Sequence, residues 1–309
     1  MKFLIIIPAH NEEANVLSCL ESLKNQTFQN YTCVVVNDGS TDKTQQIVNQ
    51  FIQLQTTNYQ LPATNYQLIN LEKSEHHPGA KVVQTFNKGL ESQDLNNFDV
   101  ICKFDADIIF PHNYLEKISE IYLKNPKAGM VSGLVYIKKE FNSDQSDKNE
   151  FTDSLFDFTQ DTHWQFENLS SKNHIRGPIK SYRKECFQKM NGLRAVLGWD
   201  NIDVMLAKMH GWETVTIKDL WVKHLRPTAY KYKSQKAEKL GEYFYNIGLD
   251  LPLSIISSLK SSFKNRSVSE FFITLKSYLK QNGKRQLSDG EIQFIRTLRW
   301  KEISKKLSK

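Results

Sequence analysis

Two stretches, FLIIIPAHNEE at residues 3–13 and YTCVVVNDGSTD at residues 31–42, decide the fold of this chain. Residues 3–7 form a short, wholly apolar run, which is typical of a central strand buried on both faces. Pro8 has no amide hydrogen for a ladder and therefore ends the pairing. Residues 31–36 form a second run of this kind, closed by the turn sequence NDGSTD. We predict two buried strands, each followed by a polar turn.

A helix is predicted behind each of these strands. After the first strand, Asn11 can cap a helix, and Glu12 and Glu13 suit its first turn. Apolar residues then recur at helical spacing, at Val16, Leu17, Leu20 and Leu23. After the second strand, a helix is predicted around residues 43–54. This alternation of strand and helix indicates a parallel sheet wound with helices.

The chain continues this pattern to residue 228. Further strands are predicted at residues 66–71, 100–104, 128–136, 179–182 and 214–217. Further helices are predicted around Val82, Val83, Phe86 and Leu90, and at residues 184–190 and 201–210. The sequence therefore predicts the α/β class, with a Rossmann-like, mostly parallel central sheet flanked by helices.

Length and composition exclude several classes of protein. The 309 residues suffice for one large α/β domain or two modest ones. The 39% hydrophobic and 24% charged residues are ordinary for a globular protein and unlike a disordered or coiled-coil chain. The four cysteines have no C-x-x-C spacing, which argues against a zinc ribbon or a disulfide framework. Cys33 and Cys102 lie in apolar runs, so we predict buried thiols in a reducing compartment.

No targeting or membrane-spanning segment is predicted. The apolar stretch at the N-terminus ends at Pro8 after a few residues and lacks a small-residue cleavage pattern. No window approaches the roughly 18 uninterrupted apolar residues that a spanning helix needs. The mean hydropathy is -0.51. We therefore expect a cytoplasmic protein.

The positive charge of the chain is concentrated at its C-terminal end. Residues 229–309 contain 17 Lys and Arg against 7 Asp and Glu, a net charge of +10. Because the whole chain carries +7, residues 1–228 carry -3. We predict a main domain over residues 1–228 and a basic helical extension over residues 229–309. Within the main domain, residues 139–167 lose the regular pattern and form an acidic insertion with interspersed aromatic residues.

Three polar turns follow predicted strands: PAHNEE after the first, NDGS after the second and DAD after residues 100–104. In an open parallel sheet, ligands bind beyond the carboxyl ends of the strands, so these turns indicate one binding site. Asp38 in the second turn can accept a hydrogen bond from a nucleotide base or a ribose. The alternative is an Asx turn that caps the next helix.

Asp105 and Asp107 form a D-x-D pair between two apolar runs. In an extended chain, residues two apart face the same side, and uncompensated carboxylates are costly between apolar runs. Carboxylate oxygens suit Mg²⁺ or Mn²⁺, which take their remaining ligands from water and substrate phosphates. The pair therefore predicts a divalent cation site. The alternative is a pair of solvated turn residues.

The chain resembles the family 2 glycosyltransferases of the GT-A fold. The resemblance rests on IIIPAHNEEANVLSCLESLKNQTF (5–28), VVVNDGSTDKT (34–44), FDADIIF (104–110) and GWDNIDVMLAKMHGW (198–212). These motifs occur in the order and at the intervals of the family, and they cover roughly residues 1–228.

The resemblance implies roles for individual residues. The loop that borders the nucleotide corresponds to Pro8, Ala9, Asn11 and Glu12. Asp38 corresponds to the residue that reads the base, and Lys81 to one near the diphosphate or the sugar. Asp105 and Asp107 correspond to the D-x-D that holds Mn²⁺ or Mg²⁺ and the ribose-diphosphate. His224 matches a third metal ligand of some relatives, although a single histidine is also a common core residue, and the adjacent Arg226 can meet a phosphate.

The catalytic base is also implied by the resemblance. In the family, Glu-Asp precedes a helix that ends in Gly-Trp or Gly-Tyr, and this aspartate deprotonates the acceptor hydroxyl. Here Trp199 stands in place of the glutamate, and counting back from Gly211-Trp212 puts Asp200 in register. Asp203, one helical turn later on the same face, is the alternative base. Asp200 can also cap the helix. The implied reaction is an inverting transfer of a sugar from a nucleotide-diphosphate sugar.

The implied partners are a nucleotide-sugar donor, expected to be a UDP-sugar, and a saccharide or lipid-linked acceptor in surface polysaccharide or glycolipid assembly. Four aromatic residues of the insertion can meet the acceptor or pin the loop to the domain: Phe151, Phe156, Phe158 and Trp164. The basic, amphipathic tail fits peripheral contact with the inner membrane face, packing on the core, or both.

Two other functions are compatible with parts of the sequence. One is a non-catalytic protein that binds nucleotide sugars or polyanions, and the other is a sugar-phosphate nucleotidyltransferase. A nucleic-acid partner is not expected, because no helix-turn-helix or RNA-binding signature accompanies the basic tail. The glycine-rich, basic first loop of the nucleotidyltransferases is missing.

Overall fold

The computed structural model describes residues 1–56, 65–72, 79–139, 155–158, 163–226 and 235–307. The chain divides into two compact units. The first consists of Met1–His76, Gln84–Asn191 and His210–Pro227. The second consists of His77–Val83, Gly192–Met209 and Thr228–Lys309. Residues 192–209 thus group with the C-terminal helices, whereas the sequence predicts a single boundary at residue 228.

The first unit is built on one sheet, with nine strands among the described residues. They are β1 (Phe3–Ala9), β2 (Tyr31–Asp38), β3 (Asn65–Leu71), β4 (Val100–Phe104), β5 (Ile108–Ile109), β6 (Ala128–Lys138), β7 (Trp164–Phe166), β8 (Ile179–Arg183) and β9 (Glu213–His224).

The sheet combines a parallel half with a mixed half. The strand order is β3-β2-β1-β4-β8-β6-β9-β5, and β7 pairs with β6. The pairs from β3 to β4 are all parallel, and so is the pair of β6 with β9. β8 runs antiparallel between β4 and β6, and β5 runs antiparallel to β9. Most paired residues lie in parallel pairs, so the predicted α/β class with a mostly parallel central sheet is confirmed.

Helices connect the strands of this sheet. They are α1 (Val16–Lys24), α2 (Thr44–Thr56), α3 (Ala80–Glu91), α4 (Tyr114–Lys124) and α5 (Lys184–Lys189), with a short 3-10 turn at Leu95–Asn97. Nearly all residues of β1 and β2 are buried, as expected for apolar strands covered on both faces. α3 packs tightly on β1, because a Cβ atom at Gly89 would lie 2.7 Å from Cγ2 of Ile6.

Strand bounds follow the sequence where the apolar pattern is unbroken. β4 has its predicted bounds, whereas β9 extends well beyond the predicted residues 214–217. The register of β9 against β6 shifts, because Ser132 pairs with Thr216 but Leu134 pairs with Trp221. The exposed residues Lys218 and Asp219 lie at this irregularity. They interrupt the apolar pattern, so the sequence alone does not show that the strand continues beyond residue 217.

Asn11 does not cap α1, so that prediction was wrong. α1 begins at Val16, and Asn11 has a left-handed backbone φ of 54°. Its side-chain oxygen accepts a hydrogen bond from the Thr41 amide at 2.8 Å. Asparagine tolerates this conformation better than most residues and here ties the first polar turn to the second.

Much of the predicted insertion, including Phe151, lies outside the described residues. Its last part contains β7, which pairs with β6. The ammonium group of Lys223 lies 4.6 Å from the ring centroid of Phe158 and 5.3 Å from that of Trp164. These two aromatic residues pack on β9, whereas Phe156 is exposed.

The second unit is helical in its described part. It contains α6 (Trp199–Met209), α7 (Lys236–Asn246), α8 (Leu251–Asn265), α9 (Val268–Lys280) and α10 (Asp289–Leu307). α7 and α9 cross closely at Gly241, where a Cβ atom would collide with the Thr274 carbonyl. An ion pair of 2.6 Å joins Arg194, ahead of α6, to Glu291 of α10. The C-terminal helices are therefore integrated with residues 192–209.

None of the helices in the described ranges has both the length and the apolar composition that crossing a bilayer requires. All four cysteines are buried free thiols, as predicted for Cys33 and Cys102.

Candidate active site

The loops after β1 and β2 interlock at the carboxyl end of the sheet. The prediction that Pro8 ends the pairing was wrong: Pro8 and Ala9 are the last residues of β1 and are in register with Val36 and Asn37 of β2. Nδ1 of His10 lies 2.7 Å from the carbonyl oxygen of Asp38, which is the buried last residue of β2. Asn11 adds two hydrogen bonds to the second loop. The predicted residues of these two turns therefore lie together.

Asp105 and Asp107 occupy the turn between β4 and β5. The backbone turns at Ala106 and Asp107 instead of staying extended, so the two carboxylates have different partners. Asp105 is partly exposed and accepts a hydrogen bond from Nζ of the buried Lys103. Its amide donates to the carbonyl of Pro178 at 2.9 Å. The Asp107 side chain is buried.

β9 brings His224 to Asp107. His224 is the last residue of this strand and pairs with Ile108. The Leu225 amide donates to the Asp107 carbonyl at 3.0 Å, which fixes the two segments side by side. As a result, Nε2 of His224 lies 3.6 Å from Oδ1 of Asp107.

Arg226 connects two carboxylates from different loops. Its Nη2 donates to Oε1 of Glu12 and lies 3.1 Å from Oδ2 of Asp107. Glu12 is buried, and its Oε2 accepts a hydrogen bond of 2.9 Å from the Asn15 side chain. The Arg226 side chain keeps 44% of its surface exposed, so one part of it stays open to solvent.

Glu167 lies behind His224, on the side away from Asp107. Nδ1 of His224 is 3.2 Å from Oε2 of Glu167. The same oxygen meets Nη2 of Arg176 at 3.0 Å, and Nη1 of Arg176 donates to the Glu167 carbonyl at 3.2 Å. All three side chains are buried. Arg176, Glu167, His224 and Asp107 therefore form a continuous buried chain of charges.

The charges in this chain shift one another's pKa values. Burial alone would raise the pKa of Asp107, but the contact with His224 and the charge of Arg226 outweigh it and lower the pKa. Burial would lower the pKa of His224, but Asp107 and Glu167 outweigh it and raise the pKa to about 9. For Glu12, burial dominates and raises the pKa despite the contacts with Asn15 and Arg226.

The donor chemistry of these residues fits a hard divalent cation. Within the described ranges, no group of three or more His, Cys, Asp or Glu side chains is arranged to hold a metal ion. Asp105 and Asp107 nevertheless offer carboxylate oxygens, and His224 offers an imidazole nitrogen once Nε2 has released its proton. The contact with Glu167 leaves Nε2 of His224 directed at Asp107, as in metal sites where a carboxylate orients a histidine ligand.

Asp200 and Asp203 lie on α6 in the second unit. Asp200 is in the first helical turn and is partly exposed. Asp203 is buried, and its Oδ1 accepts a hydrogen bond of 2.7 Å from the Val204 amide. The two aspartates therefore differ in their access to solvent.

Lys81 also lies in the second unit, at the start of α3. The nearby Gly79 approaches Leu197 so closely that a Cβ atom at Gly79 would lie 2.7 Å from the Leu197 Cα. This approach holds the start of α3 beside the segment that leads into α6. Lys81 and Asp200 thus both lie in the second unit, near the contact between Gly79 and Leu197 in sequence.

Three contributors to the site are absent from the sequence-based assignment: His10, Glu167 and Arg176. His10 stands inside PAHNEE, so the motif itself is a signal for it. Glu167 directly follows the aromatic alternation of β7, which marks the end of a strand. Arg176 has no comparable signal, because its ion pair with Glu167 arises only in the folded chain.

The sheet with its acidic strand ends has the GT-A fold. One similar structure is the mannosyltransferase PcManGT from Pyrobaculum calidifontis in complex with GDP-Man and Mn²⁺. The two chains are 15% identical and superpose with a TM-score of 0.55, and the match covers 98% of this chain and 75% of PcManGT. A second is S. aureus TarS 1-349 in complex with UDP-GlcNAc, which is 17% identical with a TM-score of 0.53. The match covers 94% of this chain and 95% of the TarS chain.

A sequence profile of Glycosyl transferase family 2 matches residues 4–189, more than half of the chain. The chain therefore belongs to this family. The probable glycosyltransferase YdaM of Bacillus subtilis (strain 168) is 31% identical over 140 residues, which is 43% of this chain and 29% of YdaM. The chain matches less than half the length of this curated relative.

Proposed function

We propose that the chain is an inverting glycosyltransferase that moves a sugar from a nucleotide-diphosphate sugar to an acceptor hydroxyl. The proposal rests on the convergence of Glu12, Asp107 and His224, from three separate segments, at one edge of the sheet of a family 2 glycosyltransferase. The acceptor oxygen forms a bond to the anomeric carbon from one side as the bond to the diphosphate breaks on the other. The anomeric configuration inverts.

The nucleotide is proposed to lie over the loops after β1 and β2. Pro8, Ala9, Asn11 and Glu12 border it, and Asp38 accepts a hydrogen bond from the base or the ribose. Complexes of the two similar structures with GDP-Man and UDP-GlcNAc support a nucleotide-sugar donor. We take a UDP-sugar as the donor, because Asp38 is compatible with uracil, and we assign Lys81 to the diphosphate or the sugar.

Asp105, Asp107 and His224 are the proposed ligands of Mn²⁺ or Mg²⁺. When bound, such an ion supplies positive charge to the departing diphosphate. Glu167 orients His224 through Nδ1. The Arg226 side chain is 44% exposed, and its guanidinium can therefore also meet a phosphate oxygen.

Asp200 is the proposed general base for the acceptor hydroxyl. A general base must come within hydrogen-bond reach of the proton that it takes, and its contribution is typically about 10²- to 10⁴-fold. The partial exposure of Asp200 supports this assignment over the alternative Asp203, which is buried and bonded to a backbone amide. The position in the first turn of α6 also favours a negative charge.

The acceptor is proposed to be a saccharide or a lipid-linked saccharide, in surface polysaccharide or glycolipid assembly. The exposed Phe156 of the insertion offers an aromatic face to it. The proposal also includes a cytoplasmic location and peripheral contact of the C-terminal helices with a membrane.

The test is release of a nucleoside diphosphate from a panel of nucleotide sugars in the presence of Mn²⁺. Asp107→Asn is expected to lower the rate by about 10²-fold or more, because it removes charge from the proposed cation site. Asp219→Asn, on the exposed part of β9, is the matched control and is expected to retain the rate. NMR of the product is expected to show the opposite anomeric configuration to the donor.

Other results would overturn the proposal. Nucleotide-sugar binding without turnover of any donor would indicate a binding protein. Pyrophosphate release from a nucleoside triphosphate and a sugar phosphate would indicate a nucleotidyltransferase. For the base, Asp200→Asn is expected to lower kcat by about 10²-fold or more with little change in the donor KM. A greater loss in Asp203→Asn would transfer the role to Asp203.

A further inference from the structure

Most of the large apolar residues of α8 lie on its exposed side, which is unusual for a helix in water. α8 buries Leu253 near its start, and the stripe that it buries along the rest of its length is small and polar: Ser254, Ser258 and Ser262. The side chains that it exposes along another stripe are Ile256, Leu259 and Phe263, which recur at helical spacing. Phe263 keeps 89% of its surface exposed. A helix that buries serines and exposes leucine and phenylalanine matches an apolar medium on its outer side.

α9 continues this surface. It packs on α8 and begins three residues after α8 ends, with Ser267 as its N-cap. Its exposed apolar residues are Val268, Phe272, Ile273 and Leu279. Phe263 near the end of α8 and Val268 at the start of α9 flank the connection between the helices. We call the exposed residues of α8 and α9 the hairpin surface.

The charges of the hairpin surface are almost all positive. Residues 251–280 contain five Lys and Arg and one acidic residue, Glu270. Lys260 and Lys264 directly follow the exposed Leu259 and Phe263, and Lys276 and Lys280 lie beside the exposed apolar residues of α9. A lysine in this position can keep its apolar stem on the hydrophobic surface and extend its ammonium group towards an anion.

We infer that the hairpin surface docks on a bilayer that contains anionic phospholipids. The exposed phenylalanine and leucine side chains enter the boundary between head groups and acyl chains, and the lysines meet the lipid phosphates. A second copy of the chain is a poorer occupant, because it would bring lysines against lysines. The surface specifies the membrane contact of the proposed function and rests on it, whereas the transfer reaction is tested separately.

Co-sedimentation with phosphatidylcholine vesicles, with and without phosphatidylglycerol, tests this inference. The full chain is expected to sediment with the anionic vesicles and much less with the neutral ones. The double variant Phe263→Ser with Phe272→Ser is expected to bind the anionic vesicles about tenfold or more weakly, because it removes two exposed apolar anchors. The matched control Leu54→Ser with Leu123→Ser removes two leucines of the first unit that are 67% and 68% exposed and is expected to leave binding unchanged.

A second pair of variants tests the charges. Lys276→Gln with Lys280→Gln is expected to weaken binding to anionic vesicles by about fivefold for each lysine, and added salt is expected to reduce this difference. Lys127→Gln with Lys189→Gln, two exposed lysines of the first unit, is the matched control.

Three results would overturn the inference: no binding of the full chain to either vesicle, equal binding to both, or unchanged binding of the Phe263 and Phe272 variant. A dimer of the full chain that the phenylalanine variant abolishes, with no vesicle binding, would identify a second copy as the occupant. Donor turnover without vesicles is expected to be the same in all four variants. Failure of the membrane contact can therefore be distinguished from failure of the transferase proposal.

Discussion

Arg226 gives Glu12 and Asp107 one shared counter-ion. The two carboxylates are buried, and the charge of Asp107 contributes to the raised pKa of Glu12. Without the guanidinium, the two acids would repel each other in a site with little water. A divalent cation at Asp107 would compete with Arg226 for the same oxygens, and a diphosphate would offer Arg226 new ones. Arg226 can therefore pair with the carboxylates of the protein when the site is empty and with a diphosphate when the proposed ligands are bound.

Glu167 allows a sharper test of the proposed cation site. Glu167→Gln keeps the shape of the side chain but removes its charge, so it weakens both the ion pair with Arg176 and the hold on Nδ1 of His224. Loss of such an orienting carboxylate typically lowers metal affinity by about 10- to 100-fold. We expect a loss of this size in Mn²⁺ affinity, measured by electron paramagnetic resonance without donor or acceptor.

The matched control for this variant is Glu116→Gln. Glu116 is exposed on α4 and bonds the Thr27 hydroxyl, so the same chemical change occurs away from His224. We expect unchanged Mn²⁺ affinity in the control. An equal loss in both variants, or none in Glu167→Gln, would show that Glu167 does not act through His224.

The positions of several candidate site residues could be predicted from the sequence, because the apolar runs beside them mark the ends of strands. Asp105 and Asp107 stand between apolar runs, and Asp38 ends one, so their place at the sheet edge follows from the strands. Their side-chain partners did not follow. Lys103, Arg176 and Arg226 meet their carboxylates through turns and register, and no spacing rule connects residue 12 with residue 226.

At the scale of elements, the entry into α6 depends on a glycine. Gly198 has a positive φ of 95°, and a Cβ atom there would collide with the ring of Tyr243 on α7. We expect Gly198→Ala to destabilise the protein by about 1–3 kcal/mol, because alanine is strained at this φ and the ring cannot yield freely. Thermal unfolding measures the change.

Gly290, near the start of α10, provides the contrast for Gly198. A Cβ atom at Gly290 would meet nothing within 4 Å. Since alanine favours a helix over glycine by about 1 kcal/mol, we expect Gly290→Ala to leave the melting temperature unchanged or raise it slightly. Similar melting temperatures for both variants would contradict this account of Gly198.

The predicted strand bounds were most accurate where every residue of the strand is buried. They were least accurate where the strand is very short or contains exposed residues. The apolar run of β4 gave its bounds directly, because every residue is buried. The two-residue strand β5 and the three-residue strand β7 carry too little pattern to be predicted. β5 nevertheless pairs with His224 and so positions it against Asp107.

At the scale of the whole molecule, the C-terminal helices are more than an appendage. Tyr243 packs on Gly198, Asn246 donates to the Leu197 carbonyl at 3.1 Å, and Glu291 pairs with Arg194. These contacts surround the segment that leads to Asp200. Removal of residues 229–309 would therefore take away the packing partners of the segment that leads into α6 and, with them, the hairpin surface.

We expect a chain truncated after residue 228 to melt at least about 6 °C below the full chain. The truncation removes the partner of the partly buried Arg194 and the packing of Tyr243 on Gly198, a loss of about 3 kcal/mol, and each kcal/mol shifts the midpoint of a protein of this size by about 2 °C or more. Calorimetry of both chains measures the shift. The Phe263→Ser with Phe272→Ser variant changes only exposed side chains, so we expect it to have the same melting temperature as the full chain. Equal melting of the truncated chain would show that residues 192–209 do not depend on these helices.

The position of β8 has a consequence for biosynthesis. β8 closes the free edge of β4, yet it follows β4 in the chain only after β5, β6 and the insertion. A ribosome that has released β1 to β4 thus presents a parallel sheet whose β4 edge, in addition to the outer edge of β3, is unpaired until residues 179–183 emerge. During that interval the nascent sheet is open to pairing with another nascent chain. The antiparallel strand in the middle of the sheet thereby sets the moment at which the β4 edge of the growing polypeptide is closed to self-association.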